Sequence, residues 1–134
     1  MKALGIDHGK KRVGVAVSQG RIALPLEAVP GKDRHRLLTR LVELSQEHQA
    51  DTVVVGHPLT LAGESGPQAR QAEDFAQRLR HKLGESVLVV LWDERMTSIQ
   101  VDRARPDGKA SKDGTRDMMA AVLILQTYLD SRPD

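Results

Sequence analysis

The chain contains no cysteine. That excludes disulfides, thiolate metal sites and cysteine nucleophiles. Aromatic residues are only 2% of the total: Phe75, Trp92 and Tyr128. The core must therefore come from Val, Leu, Ile, Ala and Met, and a binder that stacks bases on an aromatic platform lacks its rings. No run approaches the roughly 18 apolar residues of a membrane-spanning helix. The first residues carry one Lys and no apolar stretch of signal-peptide length, so a cytoplasmic location without membrane contact is the expectation. Charge of either sign is nearly balanced, with a formal net of +2. Such a balance is compatible with a polyanionic partner but does not establish one. What is present is ordinary for a globular chain: 134 residues, 40% hydrophobic and 28% charged. One domain over residues 1–134 is expected.

Residues 3–7 (Ala-Leu-Gly-Ile-Asp) read as a short buried strand ending on an acid. Residues 12–18 alternate Val13, Val15 and Val17 with Gly14, Ala16 and Ser18, a second strand joined by a short turn. Residues 21–29 predict a third strand, and Pro25 inside it argues for a sheet edge. Asp33 is a candidate N-cap for a helix over 33–48, with Leu37, Leu38, Leu41 and Leu44 at helical spacing. Thr52–Gly56 is a continuous β-branched run, expected to be buried on both faces. Pro67 opens a helix to about residue 83. Residues 87–92 (Val-Leu-Val-Val-Leu-Trp) read as another fully buried strand, and a last helix covers about 115–130. Residues 103–116 are polar and read as a mobile loop carrying Arg103, Arg105, Lys109, Lys112 and Arg116. The order predicts an α/β fold: a mixed five-stranded sheet, a three-strand antiparallel meander followed by parallel strands, flanked by helices.

Ligands of open α/β sheets sit outside the carboxyl ends of the strands. Asp7 closes the first strand there, and Asp93 and Glu94 close the last. With the strand of residues 52–56 between them, the two ends lie about 10 Å apart, and side chains reaching across small Gly56 can close that gap. Acids also terminate strands merely because they disfavour β structure. In the last helix, Asp117 shares an arc with Ala121, Ile124 and Tyr128, while Gln126, Thr127 and Asp130 take the far side. A carboxylate in an apolar stripe is costly unless paired or metal-bound. Asp113 is the competing acid. Three converging carboxylates without Cys or a His cluster suit Mg²⁺ or Mn²⁺. Two such ions about 4 Å apart can activate water and stabilise the leaving oxygen of a phosphodiester. Lys10, Lys11, Arg12, Arg95, Arg105, Lys109, Lys112 and Arg116 supply cations for a nucleic-acid backbone. His8 and His57 also fall near this edge, where either could orient water or bind phosphate, but a solvated loop residue is the readier reading of each.

The residues resemble a known family. Gly5-Ile-Asp-His-Gly-Lys-Lys-Arg-Val-Gly-Val-Ala-Val-Ser18 is similar to the opening motif of the YqgF/RuvX family, pre-16S rRNA nucleases and Holliday-junction-resolvase-like proteins. Val55-Gly-His-Pro-Leu59 with Gly63, Trp92-Asp-Glu-Arg-Met-Thr-Ser98 and the helix from Asp117 to Leu129 resemble its other motifs, in order along nearly the whole chain. The resemblance implies an RNase H-like fold and a divalent-metal nuclease. It implies Asp7, Glu94 and Asp117 as catalytic metal ligands, Glu94 rather than Asp93 because the motif uses its central Glu. Asp93 then supports the site by holding Arg95 or Arg12. His57 departs from the usual Leu, and Gln19 stands where an acid commonly follows the Ser.

The leading expectation is an endonuclease maturing the 5′ end of pre-16S rRNA, with the ribosome as a possible partner. A Holliday-junction resolvase acting as a homodimer on branched DNA is the alternative within nucleases. Outside that class stand a nucleotide-binding ATPase, from the Asp7-x-Gly9 turn, and a non-catalytic nucleic-acid-binding module.

Overall fold

Val13, Val15 and Val17 alternate with small residues, and that period of two becomes the strand at the centre of the meander. The computed structural model describes residues 1–96 and 114–133. In it β1 (Ala3–His8), β2 (Arg12–Gln19) and β3 (Ile22–Pro30) run antiparallel, followed by α1 (Arg34–Glu47) and β4 (Thr52–His57). The chain continues through α2 (Pro67–Leu83), β5 (Leu88–Asp93), a 3₁₀ turn (Glu94–Met96) and α3 (Thr115–Ser131). The five strands are ordered β3-β2-β1-β4-β5, with β4 parallel to both β1 and β5. This is the expected mixed sheet, and the expected elements are present within a residue or two.

Pro25 lies on an edge strand, as its missing N–H requires. The β2–β3 register shifts beside it, between Val15 and Ala16. Asp33 caps α1, its Oδ1 accepting from the Arg36 backbone N–H at 3.2 Å. One expectation is overturned. Residues 88–93 form the opposite edge of the sheet, and only Val89 is buried along β5. An unbroken apolar run does not distinguish an edge strand covered in part from a central one covered on both faces.

Strand alternation sorts side chains onto two faces. Leu4, Ile6, Val13, Val15, Val53, Val55 and Val89 pack under α1 and α2 against Leu37, Leu41, Leu44, Phe75 and Leu79. The other face carries Ala3, Ala16, Ala23 and Val54 beneath Ala121, Ile124, Leu125, Tyr128 and Leu129 of α3. Residues on the α3 face are small for a reason. A Cβ on Gly5 would stand 2.6 Å from Leu125 Cβ, and one on Gly14 would overlap the Asp117 carbonyl oxygen. The sheet lets α3 lie nearly against its backbone.

The far side of α3, where Gln126 and Thr127 were expected, is tied to the sheet by polar contacts. The Gln126 side chain accepts from the Ala23 backbone N–H at 2.9 Å and donates to the Arg21 carbonyl at 3.0 Å. Trp92 Nε1 donates to Thr127 Oγ1 at 3.0 Å. These polar groups stitch the flanks of the helix to β3 and β5, while Asp130 is exposed.

Candidate active site

The parity that builds the core also selects the acids. Gly5 faces α3, so Asp7, two residues on, does as well. Val54 and Gly56 share that face on β4, and Trp92 shares it on β5. Glu94 follows Trp92 by two, and its carboxylate lies over Gly56: a Cβ there would stand 2.6 Å from Glu94 Oε1. Asp117 enters from above. Its backbone rests on Gly14, the cross-strand partner of Asp7. Its Oδ1 lies toward the β1–β2 turn, 3.9 Å from where a Gly9 Cβ would be. Asp7, Glu94 and Asp117 thus line one cleft of about 570 Å³ at the carboxyl rim of β1 and β4.

Asp7 and Glu94 are buried, at 5% and 1% exposure, while Asp117 is half-buried. Arg12 Nε donates to Asp117 Oδ2 at 3.1 Å. Among the described residues no three His, Asp or Glu side chains stand, as placed, in an arrangement that could hold a metal ion. The donor set is nevertheless all oxygen and anionic, which suits a hard divalent cation rather than zinc. Gly56 leaves the space that Glu94 fills. Asp117 keeps Oδ1 on the turn side of its carboxylate while Oδ2 is held.

Asp93 points the other way, on the parity of Leu91, whose side chain packs against the α1/α2 core. It clamps Arg95: Nη2 donates to Oδ2 at 2.8 Å, Nε at 3.0 Å, and the Arg95 backbone N–H to Oδ1 at 2.9 Å. These donors hold the Asp93 carboxyl below the usual carboxylate range. Arg95 Nη1 also reaches the Leu61 carbonyl at 3.3 Å. Of the two arginines anticipated for Asp93, it takes Arg95, and Arg12 takes Asp117.

The histidines lie on the α1/α2 side. The His8 ring stacks 4.5 Å from the Phe75 ring. Burial pushes its pKa below the ordinary value, with Asp7 opposing. His57 Nε2 pairs with Glu73 Oε2 at 2.6 Å, and Ser65 Oγ donates to the same oxygen at 2.7 Å. That bridge ties β4, the following loop and α2 together. Together Ser65 and His57 hold the Glu73 carboxyl low.

Lys10 lines the cleft, Lys11 is exposed beside it, and Arg116 sits half-buried in the first turn of α3. Arg103, Arg105, Lys109, Lys112, Asp113, Thr97 and Ser98 lie outside the described residues. The cleft also includes residues that motif reading missed: Arg34, Gln68, Gln71 and Asp74. The available signal was the period of three at 68, 71 and 74, one side of a helix that begins after the carboxyl end of a parallel strand. Gly14 makes the room that α3 needs against β2.

The family model described as RuvX, Holliday junction resolvase, matches residues 1–131. A protein of Ruminiclostridium cellulolyticum named "Putative pre-16S rRNA nuclease" is 39% identical, covering 97% of this chain and 94% of its own. The protein of that name from Geobacillus thermodenitrificans is 41% identical, covering 98% and 99%. Among solved structures, Thermus thermophilus RuvC in complex with a Holliday junction substrate superposes with a TM-score of 0.62 at 15% identity. That alignment covers 98% of this chain and 95% of RuvC. The shared feature is the fold, which is RNase H-like.

Proposed function

The chain belongs to the RuvX family, and from that premise we propose that it is a divalent-metal-dependent endonuclease that processes the 5′ end of pre-16S rRNA. The observation that carries the reading is the approach of Asp7, Glu94 and Asp117 to one cleft on one face of the sheet. The curated relatives' shared name supplies the substrate. Residues 1–134 act as one nuclease domain, and cytoplasmic RNA is its target.

Asp7, Glu94 and Asp117 are the residues that would hold Mg²⁺ or Mn²⁺. Such ions supply a water acidified for attack and a counter-charge for the leaving oxygen. The protein does the rest. Burial of Asp7 and Glu94 keeps bulk water from solvating the carboxylates and strengthens their field in the cleft. Arg12 fixes the carboxylate of Asp117 by its Oδ2. The Asp93 clamp sets Arg95 in one conformation against the loop after β4, with Nη1 on the Leu61 carbonyl, so that a substrate strand leaving the cleft toward that loop would meet a fixed cation. Lys10 and Lys11 flank the approach.

Purified protein is to be incubated with a precursor 16S transcript and with a four-way DNA junction, each with Mg²⁺ or Mn²⁺. Cleavage of the transcript at the 5′ side of the mature sequence is expected. Cutting of the junction alone would favour the resolvase reading that the family description carries. That reading further requires a homodimer, so that two symmetric cuts are made.

A further inference from the structure

The cleft does not end at the acids. Asp7, Glu94 and Asp117 lie on the α3 face. Beyond Gly9, Gly56 and Pro58 the same cleft crosses the rim to the opposite face, where His8, Arg34, Gln68, Gln71 and Asp74 line it, with Lys10 at the crossing. Metal-assisted hydrolysis needs none of this second arm. Its chemistry is that of a polar polymer site. Gln68 and Gln71 are exposed carboxamides one helical turn apart on α2, each able to donate and accept. Arg34, the first residue of α1, is tethered to Asp74 at 3.7 Å, with both side chains more than half exposed. The His8 ring lines this arm and is fixed from behind by stacking on the buried Phe75 ring. The whole cleft is within the about 300–1,000 Å³ that ligand sites occupy. It is larger than three carboxylates and their ions require.

We propose that this arm seats a single-stranded stretch of RNA continuous with the strand being cut. The scissile phosphate lies at the acids, and the adjoining nucleotides bend over the rim at Gly9 and Gly56 onto Gln68, Gln71 and Arg34. A single strand can make that bend and splay its base edges and 2′-hydroxyls to carboxamides, whereas a paired helix hides them. Asp74 is the one acid on this arm among the described residues. Its negative charge opposes the strand and partly neutralises Arg34 at 3.7 Å, while the same Oδ2 accepts from Arg78 Nε at 3.0 Å. The assignment rests on the endonuclease reading above and adds what the substrate must look like: unpaired beside the cut.

The test uses the full chain in chelator, with a labelled short single-stranded oligoribonucleotide read by fluorescence anisotropy. The combined variant Arg34→Ala, Gln68→Ala and Gln71→Ala should bind about tenfold more weakly, since a hydrogen bond to a charged group is commonly worth at least that factor. Asp74→Asn should bind severalfold more tightly. All four side chains are exposed on helices, so folding is retained, and Gln77→Ala on α2 outside the cleft is the control. Cleavage of a hairpin RNA with an unpaired extension at the cut should exceed that of its blunt counterpart, and the combined variant should shrink the ratio. Parent-like binding by the combined variant, or weaker binding by Asp74→Asn, overturns the assignment. If the parent cuts nothing yet binding responds as stated, the endonuclease reading fails and the RNA-binding arm stands.

Discussion

Arg12 Nε and Asp117 Oδ2 meet at 3.1 Å across the join between the first residue of β2 and the first turn of α3. The two residues are 105 positions apart, so this contact closes the domain as well as orienting an acid. Arg12 also passes under Gly114, whose hypothetical Cβ would lie 3.5 Å from Arg12 Cδ. The pair is only about a quarter exposed on each side.

Arg12→Ala should therefore cost both stability and activity. Loss of one partly buried charged hydrogen bond is expected to lower the unfolding free energy by about 1 kcal/mol. Cleavage should fall by more than that stability loss explains, because Asp117 loses its fixed orientation. Arg12→Lys should recover charge without the planar fork and restore cleavage only in part. Urea denaturation and single-turnover rates check this; equal cleavage by parent and Arg12→Ala would remove Arg12 from the site.

Gly56→Ala strains the site and the α3 packing together. Its Cβ would stand 2.6 Å from both Glu94 Oε1 and Ile124 Cδ1. Either the carboxylate or the helix must give. A stability cost of about 1–3 kcal/mol is expected, as for other overpacked positions. Mn²⁺ affinity should fall with it, because Glu94 is pushed off its position. Calorimetric titration of the folded variant is the measurement; unchanged affinity would mean that Glu94 is not held by the space above Gly56.

Much of this geometry was legible in the sequence, and the exceptions have physical causes. Period-two alternation at Val13–Val17 and the leucine spacing at 37–44 identified β2 and α1, because each pattern belongs to one backbone period. Pro25 placed β3 at an edge. The run at 87–92 was misjudged because hydrophobicity reports coverage without saying how many neighbours a strand has. That Gln126 and Thr127 bond to the sheet was not legible, because a polar side chain at a helix flank can satisfy a sheet edge as readily as water. Asp7 and Asp117 were visible as acids in apolar surroundings. The choice of Glu94 over Asp93 came from the family motif, and strand parity supplies its physical reason. Gln68, Gln71 and Asp74 share a period of three on α2, but that Arg34 joins them in one cleft depends on how α1 and α2 pack, which no local pattern encodes.

His8 predicts a pH dependence. Burial holds its pKa below the ordinary 6.5. Between the folded value and 6.5 the unfolded chain binds more protons than the native one. Stability therefore rises with pH across that window and is lost as pH falls below 6.5. Denaturation midpoints at about pH 5 and about pH 7.5, on either side of the imidazole titration, should differ more for the parent than for His8→Gln. Equal differences would show that His8 is not the desolvated group described.

The central claim is that Asp7, Glu94 and Asp117 together hold a divalent cation. Isothermal titration of Mn²⁺ into the parent and into Asp7→Asn, Glu94→Gln and Asp117→Asn tests it without reference to any substrate. Saturable binding by the parent is predicted, with each variant weakened at least about tenfold, as loss of one charged ligand implies. Variants that bind Mn²⁺ as tightly as the parent would contradict it.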